Sequence, residues 1–134
     1  MSKSSPDVQS RILLTDEFAQ IKSKIRSAVT DSQLGVTFDP LKRPGVSNII
    51  TILATCTNTT PEEVAGLYAN KGHAQLKADA TEAIEAMLRQ PREEIKRLKS
   101  ETGFLEEIVK DGARRAMEIS EATMTLVRSR IGLA

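Results

Sequence analysis

The chain is poor in aromatic residues: it has no tryptophan, one tyrosine and three phenylalanines, or 3% of 134 residues. Its core must therefore rest on Leu, Ile, Val and Ala. That favours helix packing over a β-sandwich, where aromatic and β-branched residues dominate. Cysteine is nearly missing as well. Cys56 has no second cysteine to pair with, which excludes an internal disulfide and fits a reducing compartment or an organelle matrix. One cysteine and one histidine cannot build a Cys/His zinc site. The seven glycines form neither a G-x-G-x-x-G turn nor a Walker loop. No G-x-S-x-G turn supports a triad around His73. His73 reads as an unremarkable, partly exposed side chain, and Cys56 as a small buried hydrophobe at the end of an apolar helix. No apolar run approaches the ~20 residues needed to cross a bilayer. The N-terminus lacks the apolar core of a signal peptide. A formal net charge of +1 gives no global field towards nucleic acid or membrane.

What the chain does have is helical periodicity. Apolar residues make up 40% and charged residues 28%, which suits one soluble domain or part of a larger one. The spacing of Phe18, Ile21, Ile25 and Val29 predicts a helix capped by Thr15, with Lys22, Lys24 and Arg26 on its other faces. Residues 30–40 read as a connector broken by Gly35 and Pro40, with a short extended piece at Val36–Phe38. Pro44 opens a helix striped by Val46, Ile49, Ile50, Leu53 and Ala54. Thr60, Pro61 and Glu63 form a capping-box start for a short helix with Val64, Leu67 and Tyr68, ended by Gly72 in positive φ. Leu76, Ala80, Ile84, Met87 and Leu88 mark the next helix, which Pro91 should kink or restart. A long terminal helix is outlined from Leu105 to Ile131. Gly112 within it costs about 1 kcal/mol of propensity, a reason to expect a close neighbouring helix. The expectation is an all-α bundle of about five to six helices (15–134) behind a flexible N-terminal loop and connector (1–14).

The opening "MSKSSPD" (1–7) places one cation, Lys3, among small hydroxyl residues. Such a run is either a plain polar terminus or a loop suited to charge that appears briefly on phosphate oxygens. The stretch resembles the KMSKS loop of class I aminoacyl-tRNA synthetases without its first lysine. "SRILLTD" (10–16), "KIRSAVTDS" (24–32), "FDPLKRPGVSNII" (38–50), "KGHAQLKADATEAI" (71–84) and "GARRAMEI" (112–119) follow in order. Together they resemble tryptophanyl-tRNA synthetases of the bacterial and organellar type, over essentially the whole chain. Ser5, where relatives often have aspartate, and His73, where tyrosine is common, depart from the pattern.

The resemblance implies that tryptophan's carboxylate attacks the α-phosphate of ATP, supplied with Mg, and that the aminoacyl group then passes to tRNA(Trp). It makes Lys3 the catalytic lysine that stabilises the leaving phosphates, with Met1, Ser2, Lys3 and Ser4 as the ATP-binding loop. It gives residues 15–134 the anticodon-binding helices. The parallel α/β catalytic domain, which carries most of the homodimer interface, is absent from these residues. Positioning of the two substrates is worth roughly 7–11 kcal/mol, so the chain alone is expected to be inactive. The family location is the mitochondrial matrix in a eukaryote or the cytoplasm in a bacterium, with no membrane partner.

Candidate tRNA contacts are Arg89, Arg92, Lys96, Arg97, Lys99, Arg114 and Arg115, with scarce aromatics leaving arginine stacking and hydrogen bonding to read bases. The competing reading is a solvated helix face with local ion pairs such as Glu93 with Arg97. Lys42 and Arg43 in "LKRPG" either hold a phosphate at a helix N-terminus or anchor the connector. A free-standing helical module that binds tRNA or protein without catalysis is the rival to the synthetase reading.

Overall fold

The computed structural model describes residues 7–133. A 3-10 turn at Val8–Ser10 precedes five α-helices: α1 (Phe18–Ser27), α2 (Pro44–Thr57), α3 (Pro61–Tyr68), α4 (His73–Ser100) and α5 (Thr102–Arg130). No strand occurs among the described residues, so the all-α expectation holds and residues 36–38 belong to no sheet. The chain divides into two compact units, one through Glu93 and one from Glu94 onward.

In the first unit, α2, α3 and α4 enclose a core of Val46, Ile49, Ile50, Leu53, Ala54, Val64, Tyr68, Leu76 and Ala80, completed by Val36 from the connector. A second cluster joins Ile21 and Ile25 of α1 to Ile84 of α4, with Ile12, Ile52, Cys56 and Leu88 packed against it. Leu76, Ala80 and Ile84 recur at intervals of four, which places them on one face of α4. Leu67 and Met87 stand exposed, contrary to their place in the expected stripes.

Local signals explain most boundaries. The Thr60 amide donates to Glu63 Oε2 at 2.8 Å and the Glu63 amide to Thr60 Oγ1 at 3.3 Å, the expected capping box. Asn58, at φ 54°, ends α2 in the left-handed conformation. Three expectations fail for identifiable reasons. First, α1 begins at Phe18 rather than after Thr15, because residues 13–16 close a turn of their own and Glu17 takes the cap. The Asp16 amide donates to Leu13 O at 3.0 Å, and the Glu17 amide donates to Gln20 Oε1 at 2.8 Å. Val29 lies beyond the helix and is 86% exposed. Second, Gly72 has no positive φ. Its carbonyl accepts the amides of Gln75 and Leu76 and so starts α4 instead of ending α3. Gly35, at φ 75°, and Gly132, at φ 76°, are the glycines that take the left-handed region. Third, of the two alternatives at Pro91, a kink or a restart, the restart does not occur: Pro91 lies inside α4, which runs on to Ser100.

Close backbone approach occurs at Gly45. A Cβ there would lie 2.3 Å from the Val29 carbonyl oxygen, so the segment leaving α1 sits directly on the first turn of α2. Gly112, where a close neighbour was expected, has nothing within 4 Å of a built Cβ among the described residues. In the second unit no residue of α5 is buried, although Leu105, Ile108, Val109, Ile119, Leu126 and Val127 fall within one face of the helix.

Candidate functional site

The loop residues singled out by sequence, Met1, Ser2, Lys3 and Ser4, lie outside the described residues. Their attachment to the fold is described. Asp7 caps the 3-10 turn, its carboxylate accepting the Gln9 amide at 2.9 Å, and the Ser10 hydroxyl donates to Asp7 O at 2.7 Å. Ile12 then packs against the cluster of Ile21, Ile25 and Ile84. Asp16, 4% exposed, accepts the Leu13 amide at 2.8 Å and the Lys24 ammonium at 2.5 Å. Burial alone raises the Asp16 carboxyl, but the Lys24 bond, the Leu13 amide and the charges of Lys24 and Arg92 outweigh it and hold the group below its ordinary 3.8. Lys24 is therefore an internal partner rather than a surface cation. The root of the loop is tied to α1 through a buried ion pair. Beside it opens a groove of about 550 Å³ that includes Asp7, Ser10, Val29, Pro44, Gly45 and Asn48.

Arg43 settles the second alternative. It is 4% exposed and donates to both Asp31 carboxylate oxygens (2.9 and 2.7 Å), Thr37 Oγ1 (2.8 Å), Gln33 O (3.2 Å) and Gly35 O (3.1 Å). It anchors the connector and leaves no donor fork open to a phosphate. His73 Nε2 lies 3.1 Å from Arg43 and 3.2 Å from Gly35 O, so the histidine joins the same cluster from the start of α4. The Arg43 hydrogen bonds bring the Asp31 pKa down to about 2.

The basic candidates separate by environment. Arg92 is 5% exposed and holds Glu85 with both terminal nitrogens at 3.1 and 2.7 Å, with Glu17 at 3.6 Å. That geometry braces α4 against the approach to α1. Arg89 is exposed and lies 3.6 Å from Glu85. Arg97 pairs with Glu94 and Glu101, not with Glu93. Arg114 pairs with Asp111 and Glu118, and Arg115 reaches Asp111 at 3.5 Å. Lys96 and Lys99 are exposed on α4. Exposed ion pairs of this kind contribute little to stability. Sequence reading missed the Asp16–Lys24 pair, whose eight-residue spacing matches no helix rule, and the Asp31–Arg43–His73 cluster, which joins distant segments.

Cys56 is half-buried with its thiol 3.7 Å from Met87 Sδ, and burial pushes the thiol pKa up, away from the reactive thiolate. No group of three or more His, Cys, Asp or Glu side chains among the described residues is placed to hold a metal ion. Among them, no helix is long and apolar enough to cross a membrane.

The all-α architecture and the ordered sequence segments both find counterparts in known proteins. Residues 1–89 match the family model of class I tRNA synthetases (W and Y), and the chain belongs to that family. Within it, the likeness is to tryptophan–tRNA ligases. The chain is 40% identical over 133 residues to tryptophan–tRNA ligase 1 of Streptomyces avermitilis and to tryptophan–tRNA ligase of Clostridium perfringens, and 38% identical to that of Bacillus subtilis. Each alignment covers 99% of this chain and 40% of the relative. The solved structure of tryptophanyl-tRNA synthetase from Mycoplasma pneumoniae superimposes with a TM-score of 0.69 at 27% identity, covering 100% of this chain and 41% of that one. The chain thus spans about 40% of the length of the relatives it matches, and these relatives are bacterial.

Proposed function

We propose that this chain serves as the C-terminal part of a tryptophan–tRNA ligase, supplying the KMSKS-type loop and the tRNA-contacting helices that work beside the family's nucleotide-binding half. The carrying observation is the match to tryptophan–tRNA ligases over 99% of the chain. In this reading Lys3 neutralises charge on the pyrophosphate as it leaves ATP, with Met1, Ser2 and Ser4 shaping the loop. Such a donor, aimed where charge develops, is worth roughly 10²–10³ in rate. Mg enters with ATP as substrate. The turn at Val8–Ser10 and the Asp16–Lys24 pair fix the segment that follows the motif. Arg89, Lys96, Arg97, Lys99, Arg114 and Arg115 present charge to tRNA(Trp), while Arg92 holds the fold. The homodimer and the tryptophan pocket belong to the half not spanned here, and the compartment follows the host, the cytoplasm for a bacterium.

The test mixes the chain with a separately expressed N-terminal half of a bacterial relative and measures tryptophan charging of tRNA. Charging is expected only in the mixture. Lys3→Ala should lower its rate roughly 10²–10³-fold while tRNA affinity stays unchanged. No charging by folded halves that associate counts against the proposal.

A further inference from the structure

A groove of about 470 Å³ lies between α1 and the first turns of α4, lined by Lys22 and Arg26 from one side and by His73, Ala74, Lys77, Ala78 and Thr81 from the other. No carboxylate lines it. Lys22 and Arg26 are exposed, and neither side chain has a carboxylate partner among the described residues. Arg26 in the last turn of α1 suits the helix dipole, whereas Lys22 one turn earlier adds a like charge at i,i+4, which opposes helix formation. The Lys77 ammonium donates to the backbone carbonyls of Arg26 at 3.2 Å and Ala28 at 2.7 Å, which orients its charge without neutralising it. The arginines of the second unit differ: Arg97 and Arg114 each lie between two carboxylates. Ala74 and Ala78 form a low floor that leaves the groove open. His73 lines its edge, but Nε2 is engaged by the Arg43–Gly35 cluster.

Three uncompensated cations facing one concave surface focus a positive potential there. Lys22 and Arg26 stand one helical turn apart, about 6 Å along α1. That separation suits neighbouring phosphates of a chain better than one compact ion. We propose that the α1–α4 groove is a phosphate-backbone contact for RNA, a second tRNA surface distinct from the basic residues at 89–115. This inference rests on the tRNA-binding role proposed above and extends it to a named site.

The experiment measures binding of a tRNA(Trp) transcript to the full chain across a series of KCl concentrations. Wild type is compared with Lys22→Ala/Arg26→Ala and with the charge-preserving Lys22→Arg/Arg26→Lys. The double alanine variant should bind roughly tenfold more weakly at physiological salt. Its log–log salt slope should be shallower by about 1.4–1.8, the loss of two phosphate contacts. The charge-preserving variant should keep the wild-type slope. Binding by the alanine variant with wild-type affinity and slope overturns the groove and leaves the tRNA role intact. Weaker binding with an unchanged slope also overturns it, since a structural defect does not alter counterion release. If wild type binds no RNA at all, both inferences fall together.

Discussion

Asp31 and Arg43 show how much of the fold hangs on single side chains. The Arg43 hydrogen bonds lower the Asp31 carboxyl from 3.8 to about 2, so the folded state holds its proton less tightly than the unfolded chain. Its contribution to stability is complete above the unfolded value and lost as pH falls towards about 2. Urea midpoints of wild type and Asp31→Asn should therefore differ near neutrality and converge as pH approaches about 2. Tyr68 gives the opposite case at the alkaline end. Burial, then its 2.6 Å bond to Asp79, pushes the phenol from 10 up to about 12. The folded state retains that proton while the unfolded chain loses it, so stability falls as pH rises from 10 towards about 12. Because this is the single tyrosine and there is no tryptophan, phenolate absorbance reports it without overlap. A midpoint near 10 in the folded protein would refute the buried placement. In the core, Ile50 is fully buried, and Ile50→Ala should cost about 2–5 kcal/mol in equilibrium denaturation.

Among the elements, α2 and α3 were legible because their signals are local. Pro44 fits a first turn, and Thr60, Pro61 and Glu63 carry a complete start within four residues. The start of α1 was not legible, because Asp16 is recruited by Lys24, and a charge pair inside the protein reads on paper like surface polarity. Arg92 misled for the same reason: composition counts a cation and cannot see Glu85 closing on it. The restart weighed at Pro91 came from its missing amide, yet α4 runs on to Ser100. That predicts a gain on substitution. Pro91→Ala should restore a helical hydrogen bond and stabilise the chain by about 1–3 kcal/mol, read by thermal melting of the helical circular dichroism signal. An unchanged or lower melting temperature would mean that the ring makes a contribution of its own.

For the whole molecule, family membership was legible from ordered segments of sequence, while the split into two units was not. The apolar stripe of α5 records a surface that burial would favour, but periodicity is silent about whether a cover is present. Within the second unit nothing buries it. Stability should accordingly be uneven. Amides at 46–54, in the core of the first unit, should exchange with solvent slowly, and those at 102–130 several orders of magnitude faster, as hydrogen-exchange mass spectrometry would show. Adding the N-terminal half of a relative should slow exchange in α5 if that half covers the stripe. Uniform protection of both units in the chain alone would contradict this division.

The seam at Gly45 carries a consequence for inheritance. A single methyl group there would collide with the main chain beyond α1, and a carbonyl cannot swing aside as a flexible side chain can. Alanine, normally the mildest change within a helix, is thus among the harsher ones at this codon. What position 45 tolerates is set by the main chain across the seam and not by helix propensity.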